Sequence, residues 1–191
     1  MSVDAGSLLP PPPLRERRWV PAIALAILIV GVVAGGHVAS DGFGARPAGV
    51  VAVGGSVQMA LAGWEIAERF DDPIGIRLTS GGASLDVTAL PFDGTDIDLL
   101  REYVGHVLAP QVEQLRLSEE IERVRLANGL TGSRIAYVGA FGDVQTPVEG
   151  EITTVVSALG TGVAFDGWAP RGQLQLAVDD LHAMIETADI A

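Results

Sequence analysis

Ile74-Gly-Ile-Arg-Leu-Thr-Ser-Gly-Gly-Ala-Ser-Leu-Asp-Val-Thr-Ala89 is the stretch on which the fold turns. Ile74, Ile76 and Leu78 occupy alternate positions, Ser80-Gly81-Gly82 supplies a turn, and Leu85, Val87 and Ala89 resume the alternation with Asp86 and Thr88 on the other face. A period of two on both sides of a glycine pair predicts a β-hairpin with one buried face. The period then changes at Gly94-Thr95-Asp96. Ile97, Leu100, Val104, Val107 and Leu108 recur at helical spacing, with Thr95 or Asp96 available as N-cap. A helix is therefore predicted as far as Ala109, where Pro110 bends or ends it. Its inward stripe is read as Ile97, Leu100 and Val104.

Upstream, Val51, Val53, Val57, Met59 and Leu61 alternate across Gly54-Gly55, the pattern of strand structure with a break or bulge. Downstream, residues 117–126 fit two descriptions. Leu117, Ile121 and Val124 suit a helix ending at Asn128-Gly129, while Val124 and Leu126 suit a strand entering the same turn, which is the preferred reading. Ile135, Tyr137 and Phe141 lie on one side of a strand from Ser133 to Phe141. Val148 to Leu159 forms a long strand that turns through Gly160-Thr161-Gly162 into Val163-Ala164-Phe165. Leu174, Val178, Leu181 and Ile185 then define a closing helix. Strands, helix, several antiparallel strands and helix give an α+β fold: an antiparallel sheet covered by two helices.

This folded part is preceded by a different kind of sequence. Trp19 to Ser40 contains 22 residues without a charged side chain. As a helix it is roughly 33 Å long, enough to cross the hydrocarbon of a bilayer. Arg15, Arg17 and Arg18 precede it and only Arg46 closely follows, so the N-terminus is expected on the cytoplasmic side. A cleaved signal peptide competes with this reading, with Val38-Ala39-Ser40 as a weak cleavage site. The apolar run exceeds the usual signal length, which favours an uncleaved anchor. The expected organisation is a cytoplasmic tail at residues 1–18, a transmembrane helix at 19–40, a Gly- and Pro-containing linker at 41–49 and an extracytoplasmic domain at 50–191. Pro10 to Pro13 belong to an unstructured tail. Gly31 and Gly35 form a GxxxG through which two such helices can pair as a homodimer.

Composition removes whole classes of chemistry. The 191 residues include no cysteine, so disulfides, thiolate metal sites and cysteine nucleophiles are excluded. Arginine supplies every one of the twelve positive charges, which excludes Ser-Lys dyads and the Walker A lysine. The formal charge of −12 falls mainly beyond Ser40, so binding to nucleic acid or to anionic headgroups is disfavoured.

The element order resembles the PsbP-like fold. The resemblance is carried by Gly63-Trp64, the Ile76 to Ala89 hairpin, the Ile97 to Ala109 helix, the long hairpin through Gly160-Thr161-Gly162 and the final helix ending at Met184-Ile185. That superfamily includes the extrinsic PsbP proteins of photosystems, Ran-binding nuclear import factors, and DcrB-type and LpqN-type envelope proteins of bacteria. The resemblance covers about residues 57–191 and implies a non-catalytic module for partner binding, assembly or the envelope. It transfers no site residue.

Candidate chemistry reduces to a few constellations. Asp98, Glu102 and His106 are spaced four apart on one helical face, a geometry able to hold a cation, but the face lies opposite the apolar stripe and reads as solvated. Gly81-Gly82 and Gly160-Thr161-Gly162 separate strands and are read as turns, not phosphate loops. His106 and His182 are read as surface histidines on amphipathic helices. Trp64 and Trp168 are read as packing residues, with partner anchoring as the competing role. No catalytic, metal or cofactor set emerges. The expectation is a bacterial plasma-membrane protein, anchored by one helix, whose domain binds an envelope or membrane-complex partner and is not an enzyme. The alternative is an envelope amphiphile-binding module or a hydrolase with a nonlocal site.

Overall fold

The structure, a computed structural model, describes residues 49–142 and 146–191. The expected transmembrane helix, its flanking Arg residues and the Gly31/Gly35 pair lie outside the described residues. Among the described residues no helix is long and apolar enough to cross a membrane.

The chain folds into β1 (Val50–Val53), β2 (Val57–Ala60), β3 (Glu65–Asp71), β4 (Ile74–Ser80), β5 (Ala83–Pro91), α1 (Asp96–Tyr103), a π-helical turn (Val104–Leu108), β6 (Val112–Leu117), β7 (Glu122–Arg125), β8 (Thr131–Phe141), β9 (Thr146–Val156), β10 (Thr161–Pro170), a 3-10 turn (Leu174–Leu176), α2 (Val178–Glu186) and β11 (Asp189–Ile190). An eight-stranded antiparallel sheet runs β3-β4-β5-β10-β9-β8-β6, with β7 also paired to β8. The hairpin read from Ile74 to Ala89 supplies β4 and β5, between edge strand β3 and central β10, with Leu78 opposite Leu85 and Ile76 opposite Val87. The expected single sheet is corrected in one respect: β1, β2 and β11 form a second, three-stranded sheet. Gly54 and Gly55, at φ 61° and 74°, close the β1–β2 hairpin where a break or bulge was expected. Positive φ at two successive positions suits glycine.

The two helices lie on opposite faces of the large sheet, because adjacent residues of β10 point opposite ways. Val163 and Phe165 enter a core with Trp64, Val51, Val57, Leu181, Met184 and Ile185, built from the small sheet and α2. Asp166, between them and the next inward glycine, instead receives a hydrogen bond from Tyr103 of α1. On that face Leu100, Leu108, Val112, Ile135, Tyr137, Val148 and Ile152 make a second core.

The Ile97 to Ala109 helix becomes α-helix only to Tyr103. Its start follows the sequence: Thr95 caps Asp98 and Asp98 returns to the Thr95 amide. Beyond Tyr103 the chain widens into the π turn, where the Ala109 amide donates to the Val104 carbonyl five residues back. That extra residue shifts the phase of the positions after Tyr103. The buried residues are Leu99, Leu100, Val107 and Leu108, while Ile97 and Val104 are only half-buried, which corrects the expected stripe. In the stretch at 117–126 Leu117 ends β6 and Glu122–Arg125 form β7, so the strand reading holds at Val124 and the connecting residues 118–121 belong to neither strand. The closing helix begins at Val178, preceded by a separate 3-10 turn at Leu174.

Candidate functional site

Beneath the end of α1, five strands and the helix bring together a buried polar cluster. Even-numbered residues of β5 and β10 share the α1 face, so Asp86 and Asp166 stand directly opposite each other in register. Cross-strand neighbours in a sheet have Cβ atoms about 5 Å apart, close enough for like charges to oppose each other. Tyr103 donates from the helix to one Asp166 oxygen at 3.1 Å, and Tyr137 donates from β8 to the other at 2.9 Å. Arg77, on β4, donates through Nε and Nη2 to both oxygens of Asp86 at 2.6 and 2.7 Å. Its Nη1 lies 3.8 Å from Glu68 of β3.

The electrostatics follow from burial and charge count. Burial, reinforced by the negative charge of Asp86, pushes the Asp166 carboxyl up to about 7, although the two tyrosine hydroxyls and Arg77 pull the other way. Burial beside Asp166 raises both tyrosine hydroxyls well above their ordinary value. Burial opposes the charge of Arg77, but the Asp86 hydrogen bond and the charges of Asp86 and Glu68 outweigh it and raise its pKa. The chemical capacity of this cluster is to hold or release one proton at Asp166 in a place closed to solvent.

A second polar cluster lies on the other face, beneath α2. His182 Nε2 and the Glu151 carboxylate are 2.6 Å apart. Arg134 is buried on β8, where its Nε donates to the Thr153 hydroxyl at 3.0 Å and lies 3.8 Å from Glu151, and its Nη1 lies 3.8 Å from Glu122. Arg134 Nη2 has no hydrogen-bond partner, a cost for a buried donor. A third group fastens the start of α1. Ser133 and Arg123 each donate to the Asp96 carboxylate at 2.6 Å, and Thr154 donates to the Asp96 carbonyl at 2.7 Å.

The residues singled out by sequence fall differently. Asp98 is the helix-capping carboxylate, held below its ordinary pKa by the Thr95 hydroxyl and amide. Asp98 and Glu102 lie on α1, whereas His106 lies within the π turn. Among the described residues no group of three or more His, Cys, Asp or Glu side chains is placed for a metal ion. His106 is exposed, whereas His182 is half-buried against Glu151, a correction to its reading as a surface residue. Trp64 is fully buried, and Trp168 packs edge-on against Phe141 at 4.8 Å between centroids. Gly81 and Gly160 occupy hairpin turns at φ 59° and 78°. Sequence reasoning missed Asp166, Tyr103, Tyr137, Arg134 and Glu151. The signal for Asp166 is an acid in the middle of an otherwise apolar strand.

This arrangement of two antiparallel sheets, with one helix on each face of the larger, is similar in fold to solved PsbP and Mog1 structures. Cyanobacterial PsbP (CyanoP) from Synechocystis sp. PCC 6803 superposes with a TM-score of 0.53 at 12% identity, covering 81% of this chain and 98% of its own. The Ran-binding protein Mog1p of Saccharomyces cerevisiae superposes with a TM-score of 0.52 at 12% identity, covering 76% of this chain and 96% of its own. The sequence matches no protein-family model and no curated protein. At these identities the likeness is one of fold.

Proposed function

We propose that this chain is a single-pass membrane protein, N-terminus cytoplasmic, whose PsbP-like domain lies outside the cytoplasm and binds an envelope or membrane-complex protein without catalysing a reaction. The observation that carries the binding reading is the division of labour among the described side chains. Tyr103–Asp166 and Asp96–Ser133 tie α1 to the sheet, while Tyr137–Asp166 and Arg77–Asp86 tie strand to strand within it. Meanwhile Leu117, Ile121, Val138, Leu159 and Leu176 stand exposed. The Ran-binding description of the yeast neighbour supports protein binding as a use of this fold. The anchor rests on the apolar run from Trp19 to Ser40 and the three preceding Arg residues. Kinship with bacterial DcrB-type and LpqN-type envelope proteins, and pairing through Gly31 and Gly35, belong to the same proposal.

The test has two arms. Protease added to cells whose wall barrier has been opened should remove the domain and spare the tail bearing Arg15 to Arg18; a fully protected domain overturns the topology. Photo-crosslinking from Val138 and Leu159 in the native membrane should trap a reproducible partner protein from at least one position. Clean recovery of the chain alone from both counts against the binding reading. The Glu151–His182 pair beside buried Arg134 favours a second reading, an amphiphile-binding module or hydrolase with a nonlocal site. Ester hydrolysis or acyl-chain binding by the purified protein that is lost in His182→Ala would establish it.

A further inference from the structure

We propose that Asp166 is the proton-binding group of a switch that sets how firmly α1 and its π turn are held against the large sheet. Three elements converge on this carboxylate, which accepts from the Tyr103 hydroxyl of α1 and the Tyr137 hydroxyl of β8. The charged groups around it do not balance. Facing it from β5 is Asp86 and from β4 is Arg77, with Glu68 of β3 behind; β8 contributes the Tyr137 hydroxyl, β9 presents Ile152, and α1 presents Tyr103. The exposed Asp98 and Arg101 of α1 bond to each other. Three carboxylates therefore share one guanidinium, and its donors are directed at Asp86 and Glu68. A proton on Asp166 brings the cluster closer to neutrality. Without it, a buried carboxylate stands beside Asp86, and water reaching it relieves the penalty.

The element placed to open is the π turn. Its wide hydrogen bonding is a recognised site of local adjustment. A Cβ at Gly105 would meet nothing within 4 Å, and the turn is closed at its end by Gln111 bonding to the Val107 carbonyl. Tyr103 immediately precedes it. An ionised Asp166 is the better acceptor for the Tyr103 and Tyr137 hydroxyls, but burial and the facing Asp86 outweigh that gain, so protonation favours the closed Tyr103–Leu108 segment and ionisation favours an opening that admits water to the carboxylate. The inference does not depend on the compartment in which the domain resides.

Hydrogen exchange of the full chain in detergent micelles tests this at pH 6.0 and 8.5, after correction for intrinsic rates. Peptides spanning residues 99–112 should exchange about tenfold more slowly at the lower pH, the ratio expected for a carboxyl near 7 with an ordinary unfolded value. Asp166→Asn should be well protected at both. Equal corrected protection of the wild type at the two pH values, or an unchanged ratio in the Asn variant, overturns the proposal. If that variant does not fold, carboxyl carbon NMR of the wild type decides. One Asp signal should titrate between pH 6 and 8 and shift in Tyr103→Phe; no carboxyl titrating in that range overturns it.

Discussion

Tyr137 lies across Gly150, its partner in the β8–β9 register, and the ring occupies the space where any other residue would carry a side chain. A Cβ at position 150 would stand 2.6 Å from the tyrosine Cε1 and Oη, inside contact distance. The absent side chain at Gly150 therefore positions the hydroxyl that reaches Asp166. Gly150→Ala should push the ring away, cost roughly 2–4 kcal/mol through overpacking and the lost buried hydrogen bond, and lower the melting temperature markedly. Gly105 is the contrast, since a Cβ there meets nothing within 4 Å. Gly105→Ala should be neutral or stabilising by up to about 1 kcal/mol, because alanine loses less backbone entropy in a helical turn. Equal losses from the two substitutions in thermal unfolding would contradict this account.

At the scale of elements, the same helix shows what pattern reveals and what it conceals. Its start was legible because Thr95 and Asp98 form a local capping box, an interaction contained within four residues. Its true buried face was not: before the π turn the buried pair is Leu99 and Leu100, with Ile97 only half-buried, and after Tyr103 the inserted residue shifts the phase so that Val107 and Leu108 are buried and Val104 is not. The Ile74–Ala89 hairpin was legible since each strand buries one face. Edge strand β3 went unread, because Glu65–Asp71 is exposed on both faces and so has no apolar period. β11 has two residues, too few to show one. Asp166 was hidden for another reason: its partners are 29 and 63 residues away, and no local period joins them. Two predictions belong here. Thr95→Ala should cost about 1 kcal/mol by removing the cap. Leu100→Asp or Leu181→Asp should cost several kcal/mol by placing an unpaired carboxylate in one core or the other, whereas Glu119→Ala, at an exposed loop position, should stay within about half a kcal/mol. Similar melting temperatures for these three variants would show that the two helices do not bury Leu100 and Leu181.

The whole molecule joins two apolar cores through one sheet, and the sheet also carries the buried carboxylate, so the protonation of Asp166 bears on global stability. The sign is set by where the proton sits. In the unfolded chain an aspartate titrates near 3.8, and in the folded protein Asp166 titrates at about 7. Between these values the folded state binds the extra proton, so acidification stabilises it and stability falls as pH rises through 7. The contribution is greatest near pH 4 and absent well above 8. Asp98 acts in the opposite sense, since its lowered pKa contributes stability that is lost only as pH falls below the usual carboxylate range. The two windows are therefore separate. Residues 50–191 alone, with a core on each face of the sheet and no need of disulfides, should melt cooperatively. Moving from pH 8.5 to 5.5 should raise their unfolding free energy by roughly 1–2 kcal/mol, or the melting temperature by about 5 °C. In Asp166→Asn that part of the rise should vanish, leaving the contributions of the remaining titratable groups. A wild-type fragment no more stable at pH 5.5 than its Asn variant, relative to each at pH 8.5, would mean that Asp166 is already ionised across the range and that the tyrosines and Arg77 outweigh its burial.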